Sequence, residues 1–305
     1  KNKNNNKVIL GYTGDYSDND LSKFNDLDML PKVVNDLETV TIEIEAKNDN
    51  TGKNADVSAT GIELSGVTGT ADKNSNNIIA AGDLIITAIA EGKGNAEGHN
   101  SSGTYGINNS NSIGNTTNYI FAKSVDIEST IGVDQAPLLY AYGVYNGTFA
   151  ETGNAVIEIA NKSEIDVKAK TNGDSNIVIS GIYNANKYIY EGEIIQKGAE
   201  AIVNTSDIKI TTNSTGGIVE NVGIRADGGR VIVNGATNIS VNASGAAEGS
   251  KVYGIWSTFG GNINVNGTTN ISTSGGQEIA VVAGTENWTD VAAEPDGGIN
   301  NINLN

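Results

Sequence analysis

The chain of 305 residues carries 19 basic and 36 acidic side chains, a formal net charge of −17, and no cysteine. So acidic a surface repels phosphate backbones and anionic lipid, which argues against a nucleic-acid partner. The missing cysteine excludes disulfides and thiolate metal sites, and no run of about 18 apolar residues is present to cross a membrane as a helix.

Residues 1–37 stand apart from the rest. The chain opens on Lys1 without the charged start and apolar core of a signal peptide, and reads as a processed or excised segment. Asp15, Asp18, Asp20, Asp26 and Asp28 form the densest acidic run. Asp18-Asn19-Asp20 looks like the start of a calcium loop, but the glycine at position six and glutamate at position twelve are missing, so a solvated acidic face accounts for it. Leu21, Phe24, Leu27 and Leu30 recur every three residues up to Pro31, which predicts a short amphipathic helix stopped by the proline and capping one end of the repeats beyond it; the alternative is an irregular lead-in that packs on a further upstream coil.

From residue 38 onward one phrase keeps returning, a glycine followed by a β-branched residue. It stands at Gly61-Ile62, Gly106-Ile107, Gly143-Val144, Gly181-Ile182, Gly223-Ile224 and Gly254-Ile255, with Ala280-Val281 as a degenerate copy. Successive copies lie 45, 37, 38, 42, 31 and 26 residues apart, a period that belongs to the coils of a solenoid. In the last third each period holds three short apolar alternations bounded by Gly, Asn, Ser and Thr, for example 222–226, 231–233 and 239–241. Val233 to Ile239, Val265 to Ile271 and Ile159 to Ile165 are each six residues. Three strands per turn predict an all-β, three-sided parallel β-helix of seven to eight coils over 38–305. The short segment 297–305 begins a further repeat that then stops, so the native chain is expected to continue.

Period-two alternation places Ile62, Ile107, Val144, Ile182, Ile224, Ile255 and Val281 inward, together with Thr60, Tyr105, Tyr142, Ser180, Val222, Tyr253 and Ile279 two residues upstream. The repeated glycine then faces outward. So does the row Glu63, Asn108, Tyr145, Tyr183, Arg225, Trp256 and Val282. Two excursions, 92–103 and 184–197, leave the stack as loops.

The segments 252–276 (VYGIWSTFGGNINVNGTTNISTSGG) and 138–148 (LLYAYGVYNGT) resemble the passenger domains of bacterial type V autotransporters of the pertactin-like group. The resemblance covers roughly 38–305 and is one of repeat style. It implies a right-handed β-helix, extracellular and displayed on the bacterial surface, anchored at or released from the outer membrane after export by a C-terminal barrel that this segment lacks. Family functions include adhesion to host-cell or bacterial surface proteins and glycans, self-association, and less often proteolysis or esterase activity.

Four sets of residues are candidates for chemistry. Gly173-Asp174-Ser175-Asn176 is similar to the start of a serine hydrolase segment but departs at its fourth residue, and the sole histidine, His99, sits in a Gly/Asn/Ser stretch. Ser175 therefore reads as a turn residue and His99 as a loop residue. Apart from the 15–28 run the carboxylates are scattered singly, which argues against a polysaccharide-active β-helix; such an enzyme needs two carboxylates within about 5 to 10 Å on one concave face. Asn-X-Ser/Thr triplets, at Asn146, Asn238 and Asn266 among others, read as turn or ladder asparagines. The outward aromatics read either as a contact strip or as a ladder that stiffens the coil beneath the 184–197 loop. The contact reading takes Tyr145, Tyr183, Arg225 and Trp256, joined by Tyr188 and Tyr190, with a protein or glycan as partner and no cofactor, metal or reaction. A passive stalk or self-assembling fibre unit is the alternative.

Overall fold

Short alternating strands separated by tight turns can bury their apolar side only by stacking on copies of themselves, and the strands of this chain's two large sheets do so in parallel. The computed structural model describes residues 4–12, 30–52, 55–64, 74–95, 101–109, 115–147, 154–185, 187–190, 193–196, 198–284 and 301–305. They form a three-sided parallel β-helix. One face is a sheet of seven strands, Ser58–Glu63, Ser102–Asn109, Leu138–Gly147, Asn176–Ala185, Val219–Asp227, Lys251–Thr258 and Gln277–Ala283. We call it the glycine face. The other two faces belong to a 12-stranded sheet, because Asn115–Gln135, Asn154–Lys170 and Gly198–Asn213 run unbroken round the corner between them.

All seven glycine-face strands pair in the register expected from the repeat. Ile62, Ile107, Val144, Ile182, Ile224, Ile255 and Val281 form one continuous column. The six-residue spacings also find their reason. Ile159, Val203, Val233 and Val265 align on the second face, and Ile165, Ile208, Ile239 and Ile271 on the third. Val203 and Ile208 are only five apart, and register shifts around Thr205 absorb the difference.

The glycines face inward, contrary to strict alternation. An added Cβ at Gly143 would overlap Ile165 Cγ2 and lie 2.7 Å from the Gly181 carbonyl oxygen. Gly61, Gly106, Gly181, Gly223 and Gly254 meet Ile86, Ile127, Ile208, Ile239 and Ile271 in the same way. The third-face isoleucine column thus seats its methyl groups in a groove cut by the glycine column. Each strand bends there, so that the glycine and the following Ile or Val both point in. The pairing register skips the glycine at every step.

Buried asparagines satisfy one another inside this core. Asn77 donates to Asn118 (2.7 Å), Asn118 to Asn109 (3.0 Å), Asn109 to Asn146 (2.7 Å) and Asn146 to Asn184 (2.8 Å). Shorter ladders run along the exterior, with Asn238 donating to Asp207 and Asn266 to Asn234. The triplet asparagines Asn146, Asn238 and Asn266 are therefore all ladder residues. The interior columns end in exposed Val8 and Ile44 at one end and Val281 and Leu304 at the other.

The N-terminal region departs from expectation. Asn4–Ile9 pairs with Asn74–Ala80, so the stack includes strand upstream of residue 38. Leu21, Phe24 and Leu27 lie outside the described residues. The described helix is Leu30–Val33, continued by a 3₁₀ turn at Val34–Asp36. Pro31 sits in its first turn rather than stopping it, because a first-turn proline forfeits no helical hydrogen bond. Nor does this helix close an end of the solenoid. Leu30, Val33, Val34 and Leu37 pack on Ile78, Ala80 and Phe121, while the neighbouring Ile79 and Ile120 belong to the interior, so the helix lies on the outside of the second face.

Gly143→Ala is expected to cost about 1 to 3 kcal/mol, the range for overpacking a filled core. Gly52→Ala, where an added Cβ meets nothing within 4 Å, serves as the control. The urea midpoint should fall for the first variant at unchanged m-value and stay put for the second.

Candidate binding strip

The bend at each glycine decides what the outer surface carries. Because the glycine and its successor both turn inward, the residue before the glycine and the residue two beyond it both turn outward. Thr60, Tyr105, Tyr142, Ser180, Val222, Tyr253 and Ile279 therefore stand outside, correcting the inward assignment. Tyr253 and Val222 cluster with Trp256, apart from the main core. They run beside the predicted row of Glu63, Asn108, Tyr145, Tyr183, Arg225, Trp256 and Val282. The two columns touch, with ring centroids 5.3 Å apart for Tyr142 and Tyr145 and 5.5 Å for Tyr253 and Trp256.

The strip has two halves of different character. In one, Tyr105, Tyr140, Tyr145 and Tyr183 are each partly exposed around a buried Tyr142. Tyr145 stands edge-on between Tyr105 at 5.5 Å and Tyr183 at 5.4 Å. In the other half the predicted contact residues are packed away. Arg225 is 7% exposed and Trp256 1%. The guanidinium carbon lies 4.8 Å from the Tyr183 ring centroid and 4.5 Å from that of Trp256. Arg225 also donates to Asp227 at 2.8 Å and to Glu220, and the Tyr183 hydroxyl donates to Asp227 at 2.7 Å. The Trp256 indole N–H donates to the Gly284 carbonyl at 3.1 Å. A buried charge is tolerated when it is paired and hydrogen-bonded, and Arg225 has a carboxylate on its Nε and another on its Nη1. Burial alone works against the Arg225 charge, but Tyr183, Asp227 and Glu220 outweigh it and hold the guanidinium well above its ordinary value.

Of the predicted contacts, then, Tyr145 and Tyr183 reach solvent, whereas Arg225 and Trp256 brace the strip from within. Tyr188 and Tyr190 fall in Lys187–Tyr190, which pairs antiparallel with Glu193–Gln196. The expected 184–197 loop is thus a β-hairpin; the side chains of Tyr188 and Tyr190 lie outside the described residues. Sequence reasoning misses Tyr105, Tyr140 and Tyr142 as members of the strip. Their signal is present, tyrosine at fixed offsets before the repeated glycine, but strict alternation puts Tyr105 and Tyr142 on the wrong side.

The other candidates resolve differently. Ser175 is buried and its hydroxyl accepts from the Ala136 amide at 2.8 Å. Ser102 and Ser250 do the same for Val57 and Val219 at 3.1 and 3.0 Å, so Ser175 is one of a set of corner serines that tie a coil to its predecessor. His99 and the acidic run 15–28 lie outside the described residues. The third face adds a feature that single spacings do not reveal. Asp126, Glu164 and Asp207 stack in register along a groove of about 350 Å³, flanked by Glu128, Asp166 and Lys209. Desolvation and then Glu164 hold the Asp126 carboxyl above its usual range, while the hydrogen bond from Lys168 holds Glu128 below it. Lys168 bridges Glu128 and Asp166 at 2.9 and 3.0 Å. Among the described residues no three acidic or imidazole groups converge to hold a metal ion.

Compared with known proteins, the chain matches no family model, no curated protein and no solved structure.

Removing the buried cation is the first test of this geometry. Arg225→Met leaves Asp227 and Glu220 buried without their cation and should cost about 3 to 5 kcal/mol, whereas making all three positions apolar should recover most of the loss in chemical denaturation. The second test concerns alkali. Burial pushes the Tyr145 phenol up from 10.0 to about 12 and raises Tyr105, Tyr142 and Tyr183 as well. Above pH 10 the unfolded chain has shed protons that the folded one keeps, so the folded state binds more protons and stability falls as pH rises. Tyr145's share is complete below pH 10 and lost between 10 and about 12. The phenolate absorbance of these four tyrosines, read as the difference from a variant in which all four are Phe, should therefore rise together with loss of β circular dichroism, not before it.

Proposed function

We propose that this segment is a non-catalytic, extracellular adhesive module of a bacterial surface protein, holding a host-cell or bacterial protein or glycan along the tyrosine half of its strip. The observation that carries this reading is the row of Tyr105, Tyr140, Tyr145 and Tyr183, partly exposed and in ring contact on the outside of a rigid face. Tyrosines offer a large contact area at little entropy cost, with a hydroxyl for orientation, and they anchor both protein and sugar ligands. Packing against buried Tyr142, and for Tyr183 against Arg225, which Trp256 backs from its other side, fixes the rings before a ligand arrives and spares the cost of ordering them. The resemblance in repeat style to autotransporter passengers supports export and display.

A second reading rests on the acidic groove. Stacked Asp126, Glu164 and Asp207 lie one coil apart, roughly 4.8 Å, with Asp126 and Glu128 pushed in opposite senses, the arrangement a polysaccharide-cleaving acid/base pair would require. Against it, Lys168 occupies Glu128.

One experiment separates these readings. The chain is assayed for binding to a glycan panel, epithelial cells and neighbouring bacteria, and for release of reducing ends from polysaccharides, beside Tyr140→Ala/Tyr145→Ala and Asp126→Asn variants. The adhesive reading expects roughly tenfold or greater loss of affinity in the tyrosine variant, unchanged binding in Asp126→Asn, and no cleavage. Cleavage lost in Asp126→Asn would overturn it in favour of the enzyme. No binding at all, with concentration-dependent light scattering, would leave a stalk or fibre unit.

A further inference from the structure

A chain without cysteine cannot tie its coils with disulfides, yet the outer strip brings phenol rings of adjacent coils together. The pair best placed for a covalent junction is Tyr105 on strand Ser102–Asn109 with Tyr140 on strand Leu138–Gly147. Their centroids are 5.5 Å apart at an interplanar angle of 56°. Tyr140 reaches this position by lying flat across Gly103, the residue it pairs with one coil back. Its Cε2, Cζ and Cδ2 atoms occupy the space a Cβ there would need. The hydroxyl-bearing edge of Tyr140 is thereby delivered to the strand that carries Tyr105, two residues further along on the same side.

Other pairs in the strip are less suited. Tyr145 meets Tyr105 at 73° and Tyr183 at 79°, edge against ring face, an arrangement less favourable for joining two ring edges than the 56° tilt of Tyr105 and Tyr140. Tyr142 is buried beneath its neighbours. Tyr105 and Tyr140 are both partly exposed.

We propose that Tyr105 and Tyr140 form a site of oxidative dityrosine cross-linking that staples two adjacent coils. The co-reactant is a one-electron oxidant of the haem peroxidase and hydrogen peroxide class. Each phenol gives up one electron and its O–H proton, and the two phenoxyl radicals join through a new bond between ortho carbons. The hydrogen on each joined carbon then moves to oxygen as the rings regain aromaticity. The chain loses two hydrogen atoms in all, and one peroxide accepts them to become two waters. Contact among the remaining rings lets a radical formed elsewhere in the strip exchange its electron until it reaches this pair. This inference does not depend on what the strip binds.

The test treats the folded chain with a haem peroxidase and hydrogen peroxide at low protein concentration. Dityrosine fluorescence is read, and linked peptides are mapped by mass spectrometry. The expected product is monomeric, lighter by two hydrogens, with the peptides of Tyr105 and Tyr140 joined. Tyr105→Phe and Tyr140→Phe should each abolish it, and Tyr188→Phe should leave it unchanged. Gly103→Ala keeps both phenols but evicts Tyr140 from its seat, and should lower the yield several-fold in a chain whose circular dichroism still shows the β-helix. Linkage through other tyrosines, linkage only between chains, oxidation without any biaryl product, or full yield in Gly103→Ala would each overturn the proposal.

Discussion

The seating of the third-face isoleucines in the glycine groove is the contact on which the rest of this molecule rests. Ile86, Ile127, Ile165, Ile208, Ile239 and Ile271 each place a methyl where a side chain on the opposite strand would otherwise be, and only glycine leaves that room. Close packing leaves no slack for a compromise residue. The same meeting repeats coil after coil, so the faces are locked at one distance along the whole stack, and a defect in one coil is felt mainly by its neighbours.

The outer surface derives from the same contact. A strand that must turn two consecutive residues inward has to turn the residues on either side outward, and this bend sets two columns next to each other where a regular strand would show one. The aromatic strip is therefore a consequence of how the core is closed. It also explains why the strip is stiff. Arg225, held between Tyr183 and Trp256 and neutralised by Asp227 and Glu220, works as an internal brace. Its value for a ligand is indirect, through the rings it immobilises.

Polar groups do similar work where the core cannot be apolar. The chain of amides from Asn77 to Asn184 hands hydrogen bonds from coil to coil, with one link, Asn118 to Asn109, inside a coil, and so gives buried polar groups the partners they require. Corner serines, Ser175 among them, answer backbone amides of the coil before. The triplet asparagines Asn146, Asn238 and Asn266 and the hydrolase-like Ser175 are thus accounted for by the same inter-coil bonding, and among the described residues the tyrosines outside and the acid-lined groove stand out as surfaces for function.

The repeat, the three strands per coil, their parallel register and the ladder role of the asparagines were all legible in the sequence, because a column of like residues at matching offsets has one low-energy arrangement, which is to stack. Tyr145 and Tyr183 were legible as outward for the same reason. What alternation could not supply was the direction of the glycine, since a residue without a side chain leaves no sign of the face it occupies. That choice was made by Ile165 and its counterparts, which lie a third of a coil or more away along the chain and meet the glycine only once the helix is closed. Burial of Trp256 and Arg225, the seat of Tyr140 on Gly103, the register shift at Thr205 and the stacking of Asp126 with Glu164 and Asp207 were decided likewise, by contacts between residues that sequence separation keeps apart and tertiary structure brings together.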